Sequence, residues 1–267
     1  MALTQAQFER ASAMEESQQR LERLSRMSYG SVKALLTGDP LEAASWVRSA
    51  AECGLIAAQL RLGRMLLDGA GLARDPRAAF EWFARAASRG DAEALNMAGR
   101  CHENGWGVPV NLHRAAVSYR ASAEGGHDWG QYNYGNLLFD GRGVSPDRSE
   151  ALRWFLAAAC QGHGRAMSLA GRCLEEGWGC RRDLEEAAYW YEQSARSGYF
   201  RGQFNHAVLL TERGLPDEAA DWFRRAAACG DAGIRRAIAA AIATAAHPAL
   251  QRVRAWVLEC LAAAPAQ

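Results

Sequence analysis

Residues 58–90 read AQLRLGRMLLDGAGLARDPRAAFEWFARAASRG, and this stretch decides the fold because its pattern recurs along the chain. The first glycine of a Gly-x-Gly turn returns every 36 residues, at Gly69, Gly105, Gly141 and Gly177. The same interval separates two further columns, Asp39, Asp75, Asn111, Asp147 and Asp183, and Gly63, Gly99, Gly135 and Gly171. Several independent columns in one register indicate a repeat architecture whose units pack on their neighbours.

Each repeat is predicted to form two antiparallel helices. The Asp or Asn column supplies a good N-cap for one helix, which runs about 14 residues to a closing glycine. One face of this helix carries Ala78, Trp82 and Ala86, spaced four residues apart. The tryptophans that recur near this position are interpreted as core anchors between helices, and they are Trp46, Trp82, Trp154, Trp190 and Trp222.

The other helix carries a glycine at its centre, as Gly99 does in the helix predicted over residues 94–103. A glycine inside a helix costs roughly 1 kcal/mol relative to alanine. Because the chain repeats this glycine four times at one position, we expect a neighbouring element to pack closely against the backbone there.

The combined pattern resembles the SEL-one-like repeat family, whose 36-residue units are relatives of tetratricopeptide repeats. It can be written A-x-x-x-[LA]-G-x-x-x-x-x-G-x-G-[VL], followed by D-x-x-x-A-x-x-W-[FY]-x-x-A-A-x-x-G. The resemblance implies an all-α fold, a right-handed α-solenoid of antiparallel helix pairs with N- and C-terminal capping helices.

We expect three segments along the chain. Residues 1–27 are predicted to form an N-terminal capping helix, where Thr4 and Gln7 fit a capping box. Residues 28–230 are expected to form the SEL-one-like solenoid of five to six helix pairs, and residues 231–267 the C-terminal capping helices.

Composition argues for a protein of the bacterial cytoplasm. The chain has 31 basic and 30 acidic residues, so nothing in its overall charge favours nucleic acid or an anionic membrane. Seven cysteines, an odd number without a disulfide-framework spacing, favour a reducing compartment. We find no export signal and no apolar run long enough to span a membrane. Lys33 is the single lysine beside 30 arginines, a bias typical of GC-rich bacterial genomes.

No catalytic residue, metal site or cofactor is predicted. The six histidines form no H-x-x-x-H pair and the cysteines no C-x-x-C pair, which are the spacings that zinc sites favour. His127 and His163 share one repeat position and are interpreted as loop or cap residues. Cys101 and Cys173 share an apolar column, which favours buried thiols.

An enzymatic alternative comes from the family resemblance. Some secreted, cysteine-rich members have been described as binding or hydrolysing β-lactams. Those members have a signal peptide and paired cysteines in every repeat, and this sequence has neither.

The resemblance also implies that the glycine-bearing helices line the concave face of the solenoid. The residues predicted to bind a protein partner there are Arg61, Arg64, Asn96, Arg100, Tyr132, Asn133, Asn136, Arg172, Phe204 and Asn205. Trp106 and Trp178 lie inside turns and are predicted as further partner contacts. Arginine and aromatic residues are enriched at interface hot spots, so this face suits an acidic or polar protein segment. The alternative is a solvated face whose arginines pair with Glu103, Glu175 and Glu176.

The expected function is therefore a non-enzymatic protein–protein interaction module, a scaffold or adaptor in the bacterial cytoplasm. The expected partner is another protein, with no nucleic acid and no membrane span. Members of the family serve in signalling, secretion and envelope assembly, and some inhibit secreted toxins as immunity proteins. The resemblance thus adds immunity against a toxin or effector as a more specific role.

Overall fold

The computed structural model describes residues 5–263, apart from the side chains of residues 5–11, 13 and 29. Over these residues the chain forms 15 α-helices and no strand. They are α1 (Gln5–Ser25), α2 (Tyr29–Thr37), α3 (Pro40–Glu52), α4 (Ile56–Asp68), α5 (Pro76–Ala87), α6 (Ala92–Asn104), α7 (Leu112–Glu124), α8 (Asp128–Asp140), α9 (Arg148–Cys160), α10 (Gly164–Glu176), α11 (Leu184–Arg196), α12 (Phe200–Glu212), α13 (Pro216–Cys229), α14 (Ala232–Ala241) and α15 (Pro248–Ala263). The fold is the all-α repeat solenoid of helix pairs that the sequence predicts. Thr4 of the predicted capping box lies outside the described residues.

The helices divide into two compact units. The first unit runs to Gly130 and includes Arg142–Val144, while the second comprises Gln131–Gly141 and the chain from Ser145 onward. In the first unit α3 packs against α1, α2 and α4, and α4 to α7 pack in chain order. In the second unit α9 to α13 pack in chain order, and α15 packs on α13 and α14.

Side chains cap the helices at the positions where the repeat places polar residues. Asp75 Oδ1 accepts a hydrogen bond from the backbone N–H of Ala78 at 3.0 Å, which satisfies one of the free amides at the start of α5. His163 Nδ1 accepts one from the backbone N–H of Ala166 at 3.1 Å, and His127 makes the equivalent bond at 3.2 Å. The interpretation of these histidines as cap residues is confirmed.

Buried aromatic rings in the second helix of each pair hold the pairs together. This aromatic column directly follows the tryptophan position and consists of Phe83, Tyr119, Phe155 and Tyr191. A Cβ added to Gly99 would lie 2.6 Å from Cδ1 of Tyr119, and one added to Gly135 would lie 2.7 Å from Cε1 of Phe155. The ring therefore lies directly on the helix backbone, which explains why glycine recurs at the centre of this helix in four repeats.

The tryptophans interpreted as core anchors are buried to different degrees. Trp46 is buried, but Trp82, Trp154, Trp190 and Trp222 are only half-buried. A helix turns by about 100° per residue, so the residue before a core position lies on the flank of the pair. Trp82, Trp190 and Trp222 still pack against the buried core clusters. They contact the core from its edge, because the next residue, Phe or Tyr, faces the partner helix.

The second glycine of each Gly-x-Gly turn allows successive repeats to stack. At Gly107 the backbone has a φ of 74°, and an added Cβ would lie 2.6 Å from the Cα of Arg77 at the start of α5. Only glycine combines a left-handed conformation with such a close approach.

Candidate functional site

The arginines and tryptophans that the sequence singled out separately form two stacked pairs. The guanidinium carbon of Arg100 lies 4.9 Å from the ring centroid of Trp106, and that of Arg172 lies 5.1 Å from Trp178. The turn after α6 brings Trp106 back over the helix because its backbone N–H donates to the carbonyl of Cys101 at 3.0 Å. The ring holds the guanidinium flat, and cation–π contacts of this kind contribute about 0.5–1 kcal/mol at exposed sites.

Two of the three carboxylates expected to compete for these arginines, Glu103 and Glu175, have other partners. Glu103 accepts a hydrogen bond from the Tyr119 hydroxyl at 2.7 Å, and its other oxygen pairs with Arg142 at 3.1 Å. Glu175 accepts a hydrogen bond from the Tyr191 hydroxyl at 2.6 Å. Burial, reinforced by the bond to the carboxylate, raises the pKa of both tyrosines.

Arg100 and Arg172 form no ion pair with a described residue. Arg64, at the equivalent position of α4, differs because it forms an ion pair with Glu93. Of the three arginines at this repeat position, Arg100 and Arg172 thus keep their guanidinium groups free of a carboxylate partner among the described residues.

Five predicted residues line one groove in the second unit, here called the unit-2 groove. It has a volume of about 710 Å³, and its predicted members are Tyr132, Asn136, Arg172, Phe204 and Asn205. They come from α8, α10 and α12. Asn136 Nδ2 donates to the carbonyl of Tyr132 at 2.9 Å, and Asn205 Nδ2 donates to Ser168 Oγ at 3.3 Å, which fixes both amides.

Sequence reasoning missed two further arginines in this groove, Arg165 and Arg201. They lie 36 residues apart, so the repeat interval itself is the signal that could have found them. The guanidinium of Arg165 lies 5.9 Å from the ring of Tyr199, and that of Arg201 lies 5.9 Å from Phe200. Aromatic rings therefore support these arginines as well.

The unit-2 groove is positively charged. Three arginines line it together with two carboxylates, Glu175 and Asp231. Glu175 is held by Tyr191, and Asp231 caps α14 by accepting from the backbone N–H of Ile234 at 3.0 Å. That hydrogen bond lowers the pKa of Asp231, which keeps it ionised. A groove with cationic forks, amides and ring faces is suited to carboxylates and peptide groups.

A smaller cavity of about 300 Å³ in the first unit, here called the unit-1 hollow, collects three more predicted residues. These are Arg64, Arg100 and Trp106, and Met97 lies beside them.

The other predicted residues line neither cavity. Arg61 is exposed and donates to the carbonyl of Leu36 at 3.3 Å. Asn96 is only 5% exposed and offers little surface to a partner. Asn133 and Trp178 are half-buried.

Among the described residues, no three His, Cys, Asp or Glu side chains are arranged to hold a metal ion. Cys101 and Cys173 are buried as expected, and burial raises the pKa of each thiol to about 12, so both stay protonated near neutral pH. No helix in the described part of the chain has the length and apolar character to cross a bilayer.

Comparison with known proteins identifies the repeats. The family model described as Sel1 repeat matches residues 23–55, 56–91, 92–127, 130–163, 164–199 and 202–231. No curated protein matches the chain.

Three solved structures are similar. A protective antigen of uropathogenic Escherichia coli that displays an SLR fold is 29% identical, with a TM-score of 0.70, over 84% of this chain and 49% of that one. This chain thus spans about half the length of the antigen. A Sel1 repeat protein from Oxalobacter formigenes is 24% identical, with a TM-score of 0.71, over 86% of this chain and 100% of that one. An immunity protein from Pseudomonas aeruginosa is 16% identical, with a TM-score of 0.50, over 80% of this chain and 84% of that one.

The matched segments cover most of the chain and follow the helix pairs of the structure. Sel1 repeats are protein-interaction modules, and their fold is generally non-catalytic. The chain belongs to the Sel1 repeat family.

Proposed function

We propose that this protein is a non-enzymatic scaffold or adaptor that binds a segment of a partner protein in the unit-2 groove. The observation that carries the proposal is the pair Arg172 and Arg201, which line the groove without spending a hydrogen-bond donor on any described residue. Each guanidinium is held by an aromatic ring, so little side-chain freedom is lost when a ligand binds.

The proposed ligand is an extended segment that carries acidic side chains. Arginine binds carboxylates through two parallel N–H···O bonds, which gives both strength and orientation. The rings of Tyr132 and Phe204 offer apolar contact area between the charged groups, and Asn136 and Asn205 offer amides to the peptide backbone. Such aromatic and arginine residues contribute most of the binding energy at protein interfaces.

A narrower form of the proposal is immunity, in which the partner is a toxin or effector of a bacterial cell and the complex forms in the cytoplasm. Its support is the family resemblance, together with a fold similar to that of the Pseudomonas aeruginosa immunity protein. It predicts that the captured partner is an enzyme whose activity falls when the complex forms.

The test is a native pull-down from the source cells with the tagged protein, followed by mass spectrometry. The groove variant is Arg172→Ala with Arg201→Ala. The matched control is Arg77→Ala with Arg153→Ala, since both are exposed arginines outside the groove. We expect one abundant protein bound by the wild type and the control and lost from the groove variant. Equal capture by the groove variant would contradict the proposal, provided that all three proteins melt at the same temperature.

A further inference from the structure

Arg100 in the unit-1 hollow is held in place by its neighbours but forms no ion pair with a described residue. Arg100 stacks on Trp106 at 4.9 Å, and its only hydrogen bond to a described residue goes to Met97 Sδ at 3.7 Å. Sulfur is a weak acceptor, so the strong donor capacity of the guanidinium remains unused. The hollow thus presents a planar cationic fork beside an indole and a thioether.

Two more arginines make the hollow positively charged. Arg64 forms an ion pair with Glu93, and Arg74 is fixed by an Nε–H bond to the carbonyl of Leu67 at 3.0 Å. Asp68 is the one carboxylate among the described residues that line the cavity. Even after Glu93 is counted, cations exceed anions there.

The arginine–tryptophan stack recurs 72 residues later in the chain. The guanidinium carbon of Arg172 lies 5.1 Å from the ring centroid of Trp178. There the arginine borders a cavity of about 710 Å³, whereas the hollow measures about 300 Å³. The smaller volume suits one side chain, at the lower end of the roughly 300–1,000 Å³ range of ligand pockets.

We infer that the unit-1 hollow is a second binding site that takes the carboxylate of a single glutamate or aspartate side chain of a protein ligand through the guanidinium of Arg100. The inference rests on the proposed function, because it assigns a further contact to the same kind of acidic partner. It requires the planar fork of Arg100 and not only its charge.

The experiment measures binding at Trp106 directly. The starting protein is the full chain with Arg172→Gln and Arg201→Gln, which removes the fork donors of the unit-2 groove. The probe is acetyl-hexaglutamate amide, with acetyl-hexaglutamine amide as the uncharged control, titrated at low salt. The readout is the indole N–H resonance of Trp106 in ¹H–¹⁵N NMR spectra, assigned with a Trp106→Phe variant.

We expect a saturable shift of the Trp106 resonance with hexaglutamate and none with hexaglutamine. Adding Arg100→Gln or Arg100→Lys should weaken the apparent affinity at least tenfold, the size expected when a charge-assisted hydrogen-bond pair is lost. Adding Arg77→Gln, which removes the same charge from an exposed site on α5, should leave the affinity within twofold.

Three results would overturn the inference. They are no shift at Trp106, a shift that Arg100→Gln leaves unchanged, and binding of a phosphoserine peptide more than tenfold tighter than that of hexaglutamate. Because partner capture through Arg172 and Arg201 is measured separately, any of these can occur while the proposed function stands. If hexaglutamate shifts the Trp106 resonance as expected but the unit-2 groove captures no partner, the inference stands and the proposed function fails.

Discussion

The helix pairs α6–α7 and α10–α11 differ from α4–α5 and α8–α9 in how they fill the space above the central glycine. The first two use tyrosine, Tyr119 and Tyr191, and the other two use phenylalanine, Phe83 and Phe155. The residue four positions after the glycine changes with the ring. It is Glu103 or Glu175 beside tyrosine, and Leu67 or Phe139 beside phenylalanine.

This difference links the core to the surface. A buried tyrosine hydroxyl needs an acceptor, and the glutamate supplies it. The neighbouring arginine, Arg100 or Arg172, forms no ion pair with a described residue and rests on a turn tryptophan. The two tyrosine pairs are thus also the pairs in which an arginine next to the central glycine stacks on a turn tryptophan.

The largest expected effect comes from filling the space that all four pairs share. Gly99→Leu or Gly135→Leu should destabilise the protein by about 3 kcal/mol each, because the side chain would have to displace the ring of Tyr119 or Phe155. Denaturant unfolding measures the loss, and Ala57→Leu on the exposed side of α4 is the control. An unchanged midpoint for the glycine variants would show that the ring does not lie on the backbone.

Placing a tyrosine in a helix pair that uses phenylalanine should have the next largest effect. Phe155→Tyr would bury a hydroxyl beside Phe139, whose ring lies 6.4 Å from that of Phe155 and offers no acceptor. We expect a loss of about 1–3 kcal/mol in the free energy of unfolding. Adding Phe139→Glu should recover part of this loss. If the double variant is no more stable than Phe155→Tyr, the tyrosine–glutamate coupling is not a general rule of this fold.

Removing one hydroxyl should have a smaller effect that separates the two tyrosine pairs. Tyr191→Phe should cost about 1 kcal/mol, the net value of one hydrogen bond. It also frees Glu175 to compete for Arg172, so partner capture by the unit-2 groove should weaken. Tyr119→Phe should cost less, because Glu103 keeps its ion pair with Arg142. Equal losses would mean that this ion pair contributes nothing.

The smallest expected effect is a pH dependence of stability that comes from α6 and not from α10. His102 is buried where α10 has Leu174, and burial, aided by Arg114, lowers the pKa of the imidazole. Below about pH 6.5 the unfolded chain takes up a proton that the folded chain resists, so stability should fall as the pH falls towards the folded pKa. His102→Leu should make that decline shallower in unfolding curves between pH 5 and pH 8. An identical slope would show that His102 does not contribute.

The sequence alone was enough to predict the architecture, because the signals of the repeat act locally along the chain. The 36-residue interval, the N-cap residues and the turn glycines each act within a few residues of their own position, so helix pairs, caps and turns could be predicted. The site was only partly predictable. Tyr132, Asn136, Arg172, Phe204 and Asn205 could be selected by their column, but the column does not show which of them share a groove.

Tertiary structure decided which side chains are engaged with one another. The hydrogen bond between Glu103 and Tyr119 joins two helices. Trp82 is only half-buried because α5 turns the next residue, Phe83, towards the core. Asn96 and Arg100 lie one helical turn apart, yet packing buries the first and leaves the second on the surface. A periodic sequence specifies where a residue recurs, whereas the packing of neighbouring helices determines whether its donors and acceptors are already satisfied.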